Sequence, residues 1–181
     1  EKLKPAVITE TVVHDTDDPA IWIDSQDPSK SIIIGTDKDT DGGLYAFDLN
    51  GKIIHKVLGL KRPNNVDLEY GFILNGKKTD IAAVTERETN KVKLYSLPEL
   101  KEVGEISVFE GETERGPMGV SMYKNPHTEE IFVRFNKKGT NKKINIPTNN
   151  VISVYTETVS TETKLRINFD YNSVAELDFI F

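Results

Sequence analysis

"SIIIGTDK", residues 31–38, is an alternating apolar strand that ends on a base, and "TDIAAVTER", residues 79–87, ends the same way. Lys38 and Arg87 are 49 residues apart. A third such stretch, "EEIFVRFNKK" (129–138), reaches Lys137 and Lys138, and Lys137 lies 50 residues beyond Arg87. Short runs of β-branched and aromatic residues bounded by Gly, Asn, Asp and Pro are strand signals, and more of them flank each of these three. "AIWID" (20–24), "GLYAFDL" (43–49) and "KIIHKVL" (52–58) complete a first set of four. "VDLEYGFIL" (66–74), "KVKLYSL" (91–97) and "EVGEISVF" (102–109) complete a second, and "MGVSMY" (118–123), "VISVYTE" (151–157) and "KLRINFD" (164–170) a third. A lone "AELDFIF" (175–181) opens a fourth.

The third strands carry Tyr45, Tyr95 and Tyr155, spaced 50 and 60 residues apart, and Asp18 and Asp67 near two first strands are 49 apart. Four short strands every fifty residues or so is the pattern of a β-propeller blade. An ordinary β-sandwich with accidental periodicity is the alternative, and the repeat favours the propeller. The expected fold is all-β: a β-propeller arc of about three four-stranded blades plus the first strand of a fourth. It forms a single domain over 1–181, with blade one at about 17–60, blade two at about 64–110, blade three at about 117–170 and the start of blade four at 174–181. No stretch of helical length keeps an apolar 3.6-residue period. Asn50-Gly51 and Asn75-Gly76, each between alternating runs, predict type I′ hairpin turns, which need positive φ at both central residues.

Composition narrows the chemistry. The 181 residues are 37% hydrophobic and 29% charged with a formal net charge of −6, which suits one folded domain and not a disordered chain. The acidity argues against a nucleic-acid partner, and no run of 18 apolar residues predicts a membrane span. There is no cysteine, so disulfides, thiol nucleophiles and Cys-based zinc sites are excluded. His14, His55 and His127 are far apart and form no ligand-spaced pair. The chain begins with Glu1, so a leader is expected to have been removed or omitted, and its absence says nothing about compartment.

Equivalent positions of successive propeller blades face the same end of the central channel. Lys38, Arg87 and Lys137 or Lys138 are therefore expected to converge at one mouth, where cations suit phosphate oxygens through charge-assisted hydrogen bonds. Acids mark the first strands: Asp18 precedes that of the first set, Asp67 sits in that of the second and Glu176 in that of the incomplete fourth. Carboxylates and backbone carbonyls on rigid loops are calcium ligands. A cation beside basic residues would let an acidic protein hold a highly phosphorylated ligand. "DDPAIWID" (17–24) opens with two of these acids. An Asx-Pro turn accounts for it locally, and a metal role for Asp18 is the sharper expectation.

"DDPAIWID", "KRPNNVDLEYGFILNGKKTDIAAVTER" (61–87) and "GPMGVSMY" (116–123) resemble the β-propeller phytases, calcium-dependent phosphatases that remove phosphate from myo-inositol hexakisphosphate. The likeness is dense from Asp17 to about Lys138 and continues weakly through "KLRINFDYNSVAELDFIF" (164–181), covering about half of the six-bladed family domain. It implies that Asp18 and Pro19, with Asn65 and Val66, hold a structural Ca2+. It implies that Lys38, Arg87, Lys138 and the neighbouring Lys137 contact substrate phosphate, and that Glu176 holds catalytic calcium. It also implies a secreted, periplasmic or cell-surface protein. Met118 stands where some members carry tyrosine, and "NIPTNN" (145–150) and "TETVSTET" (156–163) replace a more aromatic hairpin. The family's later acidic calcium ligands have no counterpart before Phe181. The expected function is a phytase-like phosphomonoester hydrolase, incomplete in this chain and weak or inactive alone. A non-catalytic propeller module that binds a phosphorylated ligand or a protein is the alternative, and a purely structural module with solvated bases is a third. An open arc is expected to self-associate or to require a missing C-terminal half.

Overall fold

A computed structural model of the chain describes residues 3–109 and 116–136 and, for the backbone alone, 155–159 and 162–166. The fold is all-β, as expected. Strands β1 (Thr16–Trp22), β2 (Ile32–Asp37), β3 (Gly42–Phe47) and β4 (Ile53–Leu60) form one antiparallel sheet in chain order. Strands β5 (Pro63–Leu74), β6 (Lys77–Glu86), β7 (Lys91–Ser96) and β8 (Lys101–Ser107) form a second of the same topology. Among the described residues the third repeat appears as two pairs, β9 (Val120–Lys124) with β10 (Ile131–Phe135), and β11 (Tyr155–Val159) with β12 (Glu162–Arg166). Tyr45, Tyr95 and Tyr155 fall on β3, β7 and β11, the third strand of each repeat. The stretch "AELDFIF" lies outside the described residues. The described helix content is one 3-10 turn, Pro28–Lys30, and no described helix is long and apolar enough to cross a membrane.

The hairpin turns follow their residues, with one correction. Asn75 and Gly76 both have positive φ (49° and 79°), as a type I′ turn requires. At the other Asn-Gly pair only Gly51 is left-handed, with φ 80°. Its N–H donates to the Asp48 carbonyl at 2.9 Å, and Asp48 Oδ1 accepts from the N–H groups of Asn50 and Lys52. This is a three-residue turn ending in a left-handed glycine, and the Asp48 carboxylate selects it over the type I′ form.

The sheets stack face to face. Ala20, Trp22, Ile34 and Leu44 of the first pack with Val66, Ala82, Val84 and Tyr95 of the second. Ala83 and Val92, on the other face of the second sheet, pack with Val133, Val120 and Met122 of β9 and β10. Both faces of β6 are thus covered, which is why Ile81 to Glu86 is buried without alternation. Each fully buried large side chain contributes about 1.5–3 kcal/mol.

Two repeated hydrogen bonds join the first strands of successive sheets. Asp18 Oδ2 accepts from the Val66 N–H at 3.0 Å, and Asp67 Oδ2 accepts from the Met122 N–H at 2.7 Å. Four-stranded antiparallel sheets stacked with their first strands adjacent are propeller blades.

The segment before β1 is tied along the first sheet. Glu10 N–H donates to the Gly51 carbonyl at 2.7 Å, while the Glu10 carboxylate accepts from Ile53 N–H and Lys52 Nζ. The approach is close enough that a Cβ on Gly51 would lie 2.8 Å from the Ile8 carbonyl oxygen. Its run "AVITETVV" (6–13) is rich in strand-forming residues, yet the segment joins no sheet ladder.

Candidate functional site: the rim at the ends of the second strands

The second strands of both complete blades end on a tripeptide with three separate jobs: Thr36-Asp37-Lys38 and Thr85-Glu86-Arg87. Each threonine is fully buried (0% exposed). Its hydroxyl accepts from its own first strand, Thr36 from Asp18 N–H and Thr85 from Asn65 N–H, both at 3.1 Å. It donates to the next blade, Thr36 to the Asn64 carbonyl at 2.7 Å and Thr85 to the Met118 carbonyl at 2.6 Å. The threonine latches blade to blade.

The acid that follows is also buried and clamps the segment leading into its own blade. Asp37 accepts from the N–H groups of His14 (3.2 Å) and Asp15 (2.8 Å), and from His14 Nδ1 at 3.0 Å. Glu86 accepts from Lys61 N–H at 2.9 Å. The backbone of the third residue repeats the motif: Lys38 N–H donates to Asp15 C=O at 2.7 Å and Arg87 N–H to Arg62 C=O at 3.1 Å. Latch and clamp thus fix the backbones from which the Lys38 and Arg87 side chains project, at equivalent places of adjacent blades.

Lys38 is not a bare cation. Its Nζ lies 2.8 Å from Asp17 Oδ1 and 3.8 Å from Asp15 Oδ2. The hydrogen bond to Asp17 is the main reason its pKa is raised. Arg87 is held from the far side by Gly116, where a Cβ would lie 1.9 Å from the Arg87 carbonyl oxygen, so no larger residue fits there. Lys137, Lys138 and Glu176 lie outside the described residues. β10 leads directly to Asn136, which bonds Met118 and Gly119 through its backbone and side chain.

The expected metal residues Asp18, Pro19, Asn65 and Val66 come together in part. Asp18 meets Val66 across the seam through the valine N–H, not its carbonyl, and Pro19 sits in the ladder opposite Gly35. Asn65 Oδ1 accepts from Asn64 Nδ2. The available donors are all hard oxygens, from the Asp18 carboxylate, the Asn65 side-chain carbonyl and main-chain carbonyls. That donor set fits calcium in kind. Among the described residues no three His, Cys, Asp or Glu side chains form a metal-ligating cluster. Asp67, the acid in phase with Asp18, spends one oxygen on Met122 N–H and the other on Leu68 N–H.

A family model described as Phytase matches residues 3–133. The chain belongs to the phytase family. Over 83 residues it is 45% identical to the 3-phytase of Bacillus subtilis (strain 168), a match that covers 45% of this chain and 21% of that protein. The chain therefore aligns with about a fifth of that phytase.

Sequence reasoning saw the cation of each tripeptide and missed the rest. The threonine and the acid recur at the same 49-residue spacing as Lys38 and Arg87, so the signal was present in "GTDK" and "VTER". Arg62 was also missed, because it stands in a connection between blades where no strand repeat points to it.

Proposed function

We propose that this chain supplies the cationic side of a phytase site, which releases phosphate from myo-inositol hexakisphosphate by calcium-assisted hydrolysis. The observation that carries the proposal is the rim: Lys38 and Arg87 at equivalent ends of two adjacent blades, their backbones fixed by the same hydrogen bonds, in a chain matched by the phytase family model. Arg87 offers a planar fork suited to two phosphate oxygens, and Lys38 a point charge whose Asp17 partner it exchanges for substrate. Lys137 and Lys138, which lie outside the described residues, are the proposed phosphate contacts of the third repeat.

Calcium would be held by Asp18 with Asn65 and the carbonyls of Pro19 and Val66, and at the catalytic position by Glu176. When bound it supplies charge neutralisation and an acidified water. The protein's own contribution is to hold phosphate oxygens in place while charge builds on the leaving group. No side chain becomes phosphorylated. Secretion or exposure at the cell surface belongs to the same proposal. So does the covering of the outer face of the first sheet, where Ile21 and Ile23 are 61% and 54% exposed, by further blades or a second copy.

Phosphate release from myo-inositol hexakisphosphate, measured in millimolar calcium and in excess chelator, tests the proposal. Calcium-dependent release, weak for this chain by itself and abolished by Arg87→Ala, is expected. Tight binding of the substrate with no release under either condition would instead support the binding-module reading. Native-state binding of calcium should also raise stability by about 2.7 kcal/mol at one hundred times its dissociation constant. Identical melting in calcium and in chelator, for both wild type and Asp18→Asn, would remove the structural metal site.

A further inference from the structure

Arg62 sits in the connection between β4 and β5 with φ 60°, a backbone conformation uncommon outside glycine. Neighbouring loops over-determine that conformation. Arg62 N–H donates to the Asp39 carbonyl at 2.9 Å, and its own carbonyl accepts from Arg87 N–H at 3.1 Å. Glu88 N–H donates to Lys61 C=O at 3.2 Å, and Thr40 Oγ1 donates to Glu88 Oε1 at 2.8 Å. The loops after β2, β4 and β6 are thereby tied into one continuous rim, with Arg62 between the residue that follows Lys38 and Arg87 itself.

The side chain differs from its neighbours in charge balance. Lys38 has Asp17, and Lys61 has Asp41 at 4.0 Å. The Arg62 guanidinium is exposed and makes no hydrogen bond or ion pair among the described residues. It lies close enough to Lys38 for its charge to work against protonation of that lysine. Like charges held together on a constrained backbone are unfavourable by themselves, and an anion reverses the sign of that balance.

We propose that Arg62 is a further anion-binding residue of the rim, contacting a phosphate of a polyphosphorylated ligand alongside Lys38 and Arg87. The role holds only if the rim binds phosphate as set out above, so the test separates the two. The probe is myo-inositol hexasulfate, a non-hydrolysable polyanion, titrated calorimetrically into the full chain in millimolar calcium. Arg62→Gly removes the charge and suits the positive φ, and Arg62→Asn, also tolerant of that region, is the second variant. Both should melt at the wild-type temperature or above and bind the probe about tenfold more weakly, the loss of one charge-assisted contact. If Arg87→Ala loses affinity while a folded Arg62 variant binds as wild type does, Arg62 has no part in the site and the rim stands. If wild type itself fails to bind the probe, the anion-binding rim fails and Arg62 with it.

Discussion

Thr36→Val tests whether the blades are held together by the repeated hydroxyl latch. The two side chains have nearly the same shape, so packing against Ile34 and Leu44 is kept, and the change removes the hydroxyl alone. Two backbone groups then lose their partner: Asp18 N–H at 3.1 Å and the Asn64 carbonyl at 2.7 Å. Thr36 is fully buried and Asn64 nearly so, which leaves water little access to the stranded carbonyl. An unsatisfied buried donor or acceptor costs about 1–3 kcal/mol. The partly exposed Asp18 N–H belongs at the low end and the carbonyl nearer the middle, for a total of about 2–4 kcal/mol. Against a total stability of about 5–15 kcal/mol this is a large fraction, equivalent to a melting temperature lower by roughly 5–15 °C for a chain of this size. Thermal melting followed by circular dichroism reads it directly. Thr36→Ser, which keeps the hydroxyl, should recover most of the loss. Thr85→Val, which strands Asn65 N–H and the Met118 carbonyl at the next seam, should cost a similar amount. The two changes lie at separate seams, so their effects should add. A Thr36→Val protein within about 0.5 kcal/mol of wild type, the range of a neutral surface change, would show that the seams are held by apolar packing alone.

Arg87→Ala should weaken binding of inositol phosphates more than Lys38→Ala does, by about ten- to a hundredfold against a smaller loss, because only the guanidinium presents a planar fork to two phosphate oxygens; equal losses in calorimetry would contradict that ranking. The Glu10 carboxyl is held below its ordinary 4.5, first by the hydrogen bond from Ile53 N–H and then by Lys52. Its contribution is therefore fully present above pH 4.5 and is lost as pH falls through the lower folded value. Acid should release the segment before β1, seen as lower amide protection factors at Glu10 and Ile53 relative to intrinsic exchange at each pH, while Glu10→Gln should lower that protection at neutral pH as well; wild-type protection factors that stay constant as pH falls would refute the assignment. Sedimentation at micromolar concentration should show a dimer, an aggregate or a complex, as the exposed Ile21 and Ile23 face requires. A soluble monomer that melts cooperatively would show that the arc caps itself.

The sequence by itself determined the architecture of the blades. Strand period, β-branched runs and turn residues are local properties, and their recurrence every fifty residues carries the fold because each blade repeats the same local problem. That was enough to place Lys38 and Arg87 at equivalent strand ends and the tyrosines on third strands. Only the tertiary structure decided what each polar group meets. An aspartate ahead of a strand reads the same whether it binds a metal, a lysine or an amide; pairing of β1 with β2 chose Lys38 for Asp17, and stacking of the sheets chose Val66 N–H for Asp18. The docking of residues 8–15 rests on backbone groups and the carboxylates of Glu10 and Asp37, which leave no periodic trace. Arg62 became part of the rim because hydrogen bonds from two separate loops fix its backbone there. A chain encodes its donors and acceptors locally, and their partners are set by contacts between segments tens of residues apart.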